Sequence, residues 1–437
     1  MSPANPEITP TRRDFVAAGA VLATAGTAIA QAVASAPVPT KIPTGTIRIG
    51  LIGCGGRGTG AAAQALQADP DVTLVAMGDA FQDRLDRSVK NLSGNKEVGE
   101  RVDVPIERQH VGLDAYTKVL AEDVDVVILT TPPYFRPSHL EAAVNAGKHV
   151  FCEKPMAVDS PGVRSVIASA KKAQEQGTCL TGGFCWRYAL PERAAYAKIH
   201  EGAIGDVTSV YTNYLTGTLG RNERKEEWTD LEWQLRNWWH FHWLSGDHIV
   251  EQACHAIDKL SWAKNDVPPI ACTAVGGRQC RTGPESGNAW DHFAVVFEYE
   301  DGTRCHHDCR QTPNCHGDNS DYITGSKGTA RVNGWSKLHR IRGEQEWDYD
   351  GEYPSMYQVE HNELFKAIRE GTPTNDGWQM TTSTLMAIMG RQAAYSGQRV
   401  TWEQAMNSQE TLGPKVVDWS AAIAVDPVAM PGVYKLT

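Results

Sequence analysis

The chain has 437 residues, of which 41% are hydrophobic and 22% are charged, and its formal net charge is −10. This length suffices for two domains, since a domain typically takes about 150 residues. The negative charge argues against nucleic acid as a partner, because phosphate backbones are bound by basic surfaces. The composition is typical of a globular protein and fits one that acts on a small molecule.

The first 45 residues are interpreted as an export signal and linker rather than as part of a folded domain. Arg12 and Arg13 precede an uncharged, Ala- and Gly-rich stretch at 15–36. This pattern resembles a twin-arginine signal, and it is too rich in Ala to favour a stable membrane span. The resemblance implies export of the folded protein to the periplasm or beyond. A disordered or membrane-tethering leader is the alternative.

A glycine-rich turn follows the first predicted strand. Residues 47–52 (IRIGLI) predict a buried parallel strand, and residues 61–67 predict the helix after it. Between them, Gly53, Gly55 and Gly58 form G-x-G-x-x-G, which in this context indicates dinucleotide binding. Gly53 would form the tight turn, Gly55 would let a pyrophosphate approach the backbone, and Gly58 would let the helix pack on the strand.

The second predicted strand, VTLVAMGD, ends in an acid. Asp79 lies 21 residues after Gly58. A carboxylate there can accept hydrogen bonds from both ribose hydroxyls of NAD and disfavours the 2′-phosphate of NADP. We therefore expect NAD. Arg57 and Arg84 could bind a phosphate, which keeps NADP possible.

The alternation of strands and helices continues to about residue 178. Residues 124–133 (VDVVILTTPP) predict another strand, followed by a helix and by the strand in HVFCEKP. This order specifies a doubly wound parallel sheet, a Rossmann α/β domain over residues 46–178. Its ligand would lie at the carboxyl ends of the strands, where Thr130, Pro132 and Lys154 join the glycines.

Residues 179–437 predict a second, α+β domain with a mostly antiparallel open sheet. Short predicted strands alternate with turns, and a hairpin signal lies at Asp301 and Gly302. Two helices are predicted near the end of the chain, at 357–370 and 380–396. This domain would offer one broad face to the nucleotide-binding domain.

The cysteines predict neither disulfides nor a metal site. The ten Cys residues show no disulfide framework. The run CHHDCRQTPNCH at 305–316 is the strongest candidate for a metal centre, but its spacing matches no zinc pattern. We therefore expect no bound metal.

A stretch rich in Trp and His, NWWHFHWLSGDHIVEQ, occupies residues 237–252. Aromatic rings can stack on a sugar and His can bind hydroxyls, so Trp238, His242 or His248 is expected in the wall of a substrate pocket. Burial of these aromatic rings in an ordered loop is the alternative. Further substrate candidates are Arg187, Tyr188, Arg310 and Tyr357.

These motifs together resemble the Gfo/Idh/MocA family of dinucleotide-dependent oxidoreductases. The resemblance spans roughly residues 46–399 and implies an enzyme that moves a hydride between NAD(P) and a secondary hydroxyl of a sugar, glycoside or cyclitol. Besides the glycine turn, it rests on TPPYFRPSHLEAAVNAGKHVFCEKP (131–155), GGFCWRY (182–188), EQACHAIDKL (251–260) and YQVEHNELFKAIREGTP (357–373).

The resemblance also implies roles for individual residues. Lys154 of the EKP motif would lie near the nicotinamide and the reacting hydroxyl. His255 matches the His of a D-x-x-x-H pattern in which Glu251 replaces the Asp, and the spacing predicts both on one helix face. His255 would act as base or proton relay and Lys154 would position the hydroxyl, or the reverse. Glu251 would orient His255, bind substrate, or do neither. The expected cofactor-binding residues are Gly53, Gly55, Gly56, Arg57, Gly58, Asp79, Thr130, Pro132, His139, Glu153 and Lys154.

Two other functions are also compatible with the sequence. A glycosidase could oxidise a sugar hydroxyl transiently, eliminate the aglycone, add water and return the hydride. A non-enzymatic sugar-binding protein could use the same fold. Because an exported protein cannot easily exchange its nucleotide, we expect NAD to be tightly bound. The resemblance further implies a homo-oligomer, a dimer or tetramer.

Overall fold

A computed structural model describes residues 45–437, so the predicted export signal lies outside the described residues. The strands are β1 (Ile47–Ile52), β2 (Val72–Asp79), β3 (Gln109–Val111), β4 (Val126–Leu129), β5 (His149–Cys152), β6 (Leu180–Gly182), β7 (Val207–Thr216), β8 (Ala271–Gly277), β9 (His292–Glu298), β10 (Arg304–Gln311), β11 (Ser320–Gly325), β12 (Gly328–Asn333), β13 (Arg340–Gly343), β14 (Trp347–Asp348) and β15 (Val400–Thr401). The α-helices are α1 (Gly56–Ala68), α2 (Gln82–Ser93), α3 (Ala115–Ala121), α4 (Arg136–Asn145), α5 (Ser160–Gln176), α6 (Leu190–His200), α7 (Asp230–Arg236), α8 (His242–Ser245), α9 (His248–Glu251), α10 (Cys254–Ala263), α11 (Met356–Glu370), α12 (Gly377–Ser396) and α13 (Trp402–Asn407).

The first domain is built on a six-stranded sheet with the strand order β3-β2-β1-β4-β5-β6. All its strands run parallel. The central strands β1 and β4 are almost entirely buried, because helices cover both faces of such a sheet. This is the predicted doubly wound α/β domain, and the prediction is confirmed.

The strand predicted over 124–133 is shorter in the structure. β4 ends at Leu129, and a short 3-10 helix begins at Pro133. Pro132 and Pro133 end the strand because proline has no N–H to donate to a sheet. The chain after β4 therefore turns at the carboxyl edge of the sheet, where a ligand would bind.

The first domain also extends beyond the boundary expected at residue 178. β6 pairs with β5 and completes the parallel sheet. Helix α11, from the far end of the chain, packs on α1 and buries Leu364, Phe365 and Ile368 in the first domain's core. Helix α11 therefore connects the two domains a second time, in addition to the covalent link near residue 180.

The second domain contains a nine-stranded sheet with the order β14-β13-β12-β11-β7-β10-β9-β8-β15. β7 and β10 are parallel neighbours and the other pairs are antiparallel. The predicted hairpin joins β9 to β10, and Gly302 takes a positive φ of 84° in its turn. Helix α12 is buried along nearly its whole length against this domain.

A third apolar cluster connects the two domains. It includes Leu235 and Trp243 from residues 228–244, here called the bridging segment, together with Phe81 and Val158 from the first domain. Leu412 and other residues of the C-terminal tail complete the cluster. Within residues 45–437, no helix has the length and apolar character needed to cross a membrane.

Candidate functional site

The glycine turn after β1 shows why each glycine is needed. Gly53 has a φ of 99°, and a Cβ there would lie 2.8 Å from the backbone of Thr130. A Cβ on Gly58 would collide with the carbonyl oxygen of Gly53. The space above Gly55 and Gly56 is open, because a Cβ at either position would have no atom within 4 Å beyond its chain neighbours and its own helix backbone. The turn is tight on its inner side and leaves its outer side free for a ligand.

Asp79 lies at the end of β2 beside this turn. Its Oδ2 accepts a hydrogen bond of 2.6 Å from the backbone N–H of Cys54, and Oδ1 accepts one of 2.9 Å from Phe81. Burial raises the pKa of the Asp79 carboxyl, although these backbone donors and the charge of Arg84 oppose the shift. The carboxylate is thus held at the rim of the cleft.

A cavity of about 360 Å³ opens above the glycines at the carboxyl ends of β1, β2 and β4. Its size and its position at the point where the strand order reverses suit a dinucleotide. The open space at Gly55 and Gly56 suits a pyrophosphate, so the residues present fit the group. Its lining includes Gly53, Gly55, Gly56, Arg57, Gly58, Asp79, Phe81, Arg84, Thr130, Pro132, His139, Leu235, Arg236, Trp238 and Trp239.

Thr130 and His139 are fixed by neighbours on the same side of the cavity. The hydroxyl of Thr130 donates to the Gly53 carbonyl over 2.6 Å, which holds the turn against the end of β4. The His139 ring stacks on Tyr116 with centroids 4.1 Å apart, and its Nδ1 lies 3.2 Å from the Thr131 hydroxyl. Burial lowers the pKa of His139 to about 3, so its imidazole is neutral at physiological pH.

Arg57 is held by carboxylates rather than left free for a phosphate. Its guanidinium donates to Glu153, and over 2.8 Å to Glu360 of α11. It also lies over the ring of Tyr357, 4.7 Å from the centroid. The sequence did not predict Glu360 as a partner of Arg57, because Glu360 lies on α11, which comes from the far end of the chain and packs in the first domain. Arg57 therefore connects the glycine turn to the acid that precedes Lys154.

Lys154 and Glu251 meet where the two domains face each other. The Nζ of Lys154 donates to the backbone carbonyl of Glu251. Glu251 is 6% exposed, and its Oε1 accepts from Gln311 over 3.3 Å. Burial raises the pKa of Glu251 to about 7, while the charges of Lys154 and Arg281 oppose that shift. A carboxyl of this kind can gain or lose a proton near neutral pH.

The prediction that Glu251 and His255 share one helix is wrong. Glu251 ends the short helix α9, and His255 lies in the first turn of α10. Gln252 breaks the helix with φ and ψ of −121° and −54°. Its side-chain oxygen accepts a hydrogen bond of 2.5 Å from Gln311, which draws it toward β10. No hydrogen bond joins Glu251 to His255 among the described residues.

His255 lies in an aromatic environment beside Lys154. Its ring centroid is 5.3 Å from that of Trp186 and 6.2 Å from that of Phe184. Burial, together with the charge of Lys154, lowers the pKa of His255 well below its ordinary value. Its Nδ1 is buried without a hydrogen-bond partner among the described residues. A neutral imidazole has one donor and one acceptor nitrogen, so it can exchange a hydrogen bond with a hydroxyl.

Two aromatic residues near His255 were not singled out from the sequence. Trp186 is buried under His255, and Trp335 lies 5.1 Å from Trp186 between ring centroids. Trp335 takes a positive φ of 63° and remains 44% exposed, both of which are unusual for a large apolar residue. The one available signal was the sequence NGW, a typical turn pattern, at the end of a predicted strand.

Two of the predicted substrate residues, Arg187 and Tyr188, bind other side chains of the protein. Arg187 is paired with Asp258 at 2.8 Å and also with Asp266, and Tyr188 donates to Asp376 over 2.9 Å. These ion pairs and hydrogen bonds occupy both side chains in the packing between α10, α12 and the 3-10 turn after β6. The structure therefore does not bring Arg187 or Tyr188 into the cleft.

The Trp- and His-rich stretch is divided among three places. Trp238 lines the nucleotide cavity, not a separate sugar pocket. His248 is fully buried, with its ring 5.2 Å from Phe293, and His242 lies 3.9 Å from Asp426 of the C-terminal tail. Short helices and a left-handed turn at Gly246 point the side chains of Trp238, His242 and His248 in different directions.

Tyr357, another predicted substrate residue, lies against Arg57.

The cysteine-rich run lies along the sheet. Cys305 and Cys309 are buried in β10, whereas Cys315 is exposed in the following loop. Arg310 donates to the backbone carbonyl of His316 over 2.6 Å. Within residues 45–437, no group of three His, Cys, Asp or Glu side chains is arranged to hold a metal ion.

The Rossmann domain has a nucleotide-sized cleft and carries Lys154 after β5, and the open-sheet domain brings Glu251 and His255 toward that lysine. This arrangement is typical of dinucleotide-dependent oxidoreductases. The family model described as "Oxidoreductase family, NAD-binding Rossmann fold" matches residues 47–181. The family model described as "GFO/IDH/MocA C-terminal domain" matches residues 193–331. The chain belongs to the Gfo/Idh/MocA oxidoreductase family.

Individual relatives show the same likeness. The chain is 27% identical over 179 residues to 2,7-anhydro-N-acetylneuraminate hydratase of Escherichia coli (strain K12). The aligned region covers 41% of this chain and 44% of that protein. It spans less than half the length of the first two curated relatives it matches. It is 26% identical over 325 residues to inositol 2-dehydrogenase of Pseudomonas syringae pv. syringae, covering 68% of this chain and 86% of that one.

The fold also matches solved structures. Aldose-aldose oxidoreductase from Caulobacter crescentus has a TM-score of 0.64 at 20% identity, covering 82% of this chain and 99% of that one. At this identity the match describes the fold alone.

Proposed function

We propose that this protein oxidises or reduces a secondary hydroxyl of a sugar, glycoside or cyclitol with NAD as its hydride carrier. The observation that carries the proposal is the contact of Lys154 with Glu251, one residue after Glu153, whose partner Arg57 lines the cleft that fits a dinucleotide. A secondary alcohol that loses a hydride must also lose a proton, and these two groups provide a cation and a proton acceptor at one place.

Lys154 stabilises the negative charge that develops on the substrate oxygen. Its ammonium group is held at the domain boundary by the Glu251 carbonyl, so it points to the space between the domains. When bound, NAD supplies the acceptor or donor of the hydride. Asp79 binds the ribose hydroxyls, and the open side of Gly55 and Gly56 receives the pyrophosphate.

Glu251 is the better match for proton transfer, and His255 for binding a hydroxyl. The Glu251 carboxyl has a pKa of about 7, close to the pH at which a general base works best. The pKa of His255 is lowered well below its ordinary value, so its ring is neutral but weakly basic. This assignment differs from the one that the resemblance implies.

The substrate class is supported by relatives that align over much of their length. Inositol 2-dehydrogenase of Pseudomonas syringae is named for oxidation of a cyclitol, and the alignment includes both domains of this chain. Trp335, which packs on Trp186 and is itself partly exposed, provides an aromatic ring of the kind that stacks on sugars.

The experiment is a panel of sugars, glycosides and cyclitols added to the purified, NAD-loaded protein. Formation of reduced nicotinamide, read by its absorbance and fluorescence, is the expected result with at least one member of the panel. The Lys154→Ala variant, loaded in the same way, is the control and stays unreduced. The proposal would be contradicted by two results together. No member of the panel reduces the NAD of the loaded wild-type protein, and no keto-sugar oxidises the NADH of the NADH-loaded protein.

A second candidate is a glycosidase that returns the hydride to the same substrate. Elimination after transient oxidation needs a base next to the ketone, and Glu251, with its pKa of about 7, provides one besides Lys154. In this reaction the C–H proton goes to the base, the aglycone leaves, water adds, and no NADH accumulates. Cleavage of a nitrophenyl glycoside without any added hydride acceptor would favour this candidate over the dehydrogenase.

We further propose that the protein is exported with its nucleotide already bound. Arg12 and Arg13 support this, because the twin-arginine route carries folded proteins. Replacement of both by Lys should retain the protein in the cytoplasm, as measured by fractionation of cells. Unchanged export of this variant would refute the assignment of the signal.

A further inference from the structure

Four residues of the second part of the chain line the nucleotide cleft. They are Leu235, Arg236, Trp238 and Trp239 of the bridging segment. Of these, Arg236 contacts Phe81 and Asp83, which follow Asp79 directly after β2. Because the acid at the end of β2 marks the adenosine ribose of a dinucleotide, the bridging segment lies at the adenosine end of the cleft.

Arg236 fastens the bridging segment to the first domain. Its Nη2 lies 2.8 Å from the Oδ1 of Asp83, in the first turn of α2. The guanidinium carbon is 4.1 Å from the ring centroid of Phe81 and 5.1 Å from that of Trp228. The cation thus lies between two aromatic rings, one from each side of the domain boundary, and its side chain is only 15% exposed.

The C-terminal tail supports the bridging segment from behind. Gln234 donates over 2.8 Å to the backbone carbonyl of Ile423, and Trp243 donates over 2.6 Å to the side-chain oxygen of Gln234. Trp419 of the tail packs 5.6 Å from Phe81 between ring centroids. The segment is therefore anchored on the tail and on the first domain.

Trp238 and Trp239 form the part of the segment that faces the cavity. Their rings meet edge to face, with centroids 5.4 Å apart, and the indole N–H of Trp239 donates to the carbonyl of Gly220 over 2.9 Å. Both residues are only partly buried, and Trp238 packs at the border of the third apolar cluster. Large rings in such a position would shield a bound adenosine from water.

We propose that residues 228–244 form a roof over the adenosine end of bound NAD and that the Arg236–Asp83 contact sets how fast the nucleotide leaves. Release requires the roof to separate from α2, and this contact joins the two. The inference rests on the cofactor of the proposed function but not on its substrate. It gives a physical basis for a nucleotide that stays with the protein through many turnovers.

The test measures nucleotide release directly. The protein is loaded with NADH, and energy transfer from Trp residues to the bound NADH gives the signal. An excess of NAD is then added, and the rate at which this signal decays is the dissociation rate of NADH. Arg236→Ala removes the two contacts that cross to the first domain, the ion pair with Asp83 and the cation–π contact with Phe81, and should make release roughly tenfold faster. Asp83→Asn removes the ion pair alone and should accelerate release by a smaller factor.

A double variant and a matched control make the result specific. Arg236→Ala combined with Asp83→Asn should release NADH no faster than Arg236→Ala alone, because both changes remove the same contact. Arg224→Ala is the control: Arg224 pairs with Asp230 at 2.7 Å and contacts Trp233, all within or beside the bridging segment and away from the first domain. Its release rate should equal that of the wild type.

The proposal is overturned if Arg236→Ala and Asp83→Asn release NADH at the wild-type rate, or if Arg224→Ala accelerates release as much as they do. Asp83 is on the surface, so Asp83→Asn keeps the test available if Arg236→Ala does not fold, as judged by its melting temperature. Because no sugar is added, the result does not depend on the substrate. A protein that no sugar reduces, but whose Arg236→Ala form releases NADH faster, would refute the dehydrogenase and support the roof.

Discussion

Glu251→Gln should make the protein more stable at alkaline pH while removing its activity. The Glu251 carboxyl has a pKa of about 7 in the folded chain, against 4.5 for an ordinary glutamate. The folded chain therefore keeps a proton that the unfolded chain loses. Stability is fully present below the ordinary pKa and is lost as pH rises through about 7.

The pKa difference gives the size of the effect. Each pKa unit corresponds to about 1.4 kcal/mol, so ionised Glu251 costs the folded state about 3 kcal/mol above neutral pH. An amide carries no charge and its oxygen can still accept the hydrogen bond from Gln311. Glu251→Gln should thus exceed the wild type in free energy of unfolding by up to about 3 kcal/mol near pH 8, and by little near pH 4.

The assay is denaturant unfolding and thermal melting of both proteins across this pH range, without added nucleotide. Glu107→Gln, at an exposed position, is the control and should show no difference that changes with pH. Turnover of Glu251→Gln should fall about 10²- to 10⁴-fold if the carboxyl accepts the substrate proton. A stability difference that does not grow with pH would refute the burial argument. Wild-type turnover in Glu251→Gln would refute its catalytic role.

Three other substitutions test the cleft. Lys154→Ala should lower turnover by about 10²-fold or more while NAD still binds in a fluorescence titration, and wild-type rates would contradict its role. Asp79→Ala should reduce the preference for NAD over NADP, measured as the ratio of their dissociation constants; an unchanged ratio would mean that the ribose lies elsewhere. Gly58→Ala should abolish nucleotide binding and lower the melting temperature, because its methyl group would collide with the Gly53 carbonyl. Normal NAD affinity in this variant would show that the turn can relax.

The sequence predicted the part of the site that depends on local order. The turn with Gly53 and Gly58, the acid Asp79 and the lysine Lys154 all lie at the ends of parallel strands of one sheet. Their positions follow from a strand–turn–helix pattern within a short stretch of chain. The structure places the turn and Asp79 around one cleft for that reason, and Lys154 follows Glu153, which pairs with Arg57 of the cleft lining.

The parts that sequence could not predict depend on distant contacts. Arg57 meets Glu360, which is 303 residues away, because α11 crosses to the first domain. At the break between Glu251 and His255, Gln252 accepts a hydrogen bond from Gln311 of the distant strand β10. Trp238, expected beside a sugar, lines the nucleotide cleft because the bridging segment crosses the domain boundary. Local propensity contains none of this information.

The most direct test of hydride transfer is to follow deuterium from substrate to nicotinamide. A cyclitol or sugar that reduces the NAD-loaded protein is prepared with deuterium on its carbinol carbons, and the nucleotide released by denaturation is analysed by mass spectrometry. We predict that NADH carries one deuterium per molecule in the wild type and that none is found in Lys154→Ala. Nucleotide that stays oxidised and unlabelled, with product formed, would contradict transfer of a hydride to a bound nicotinamide as a net reaction.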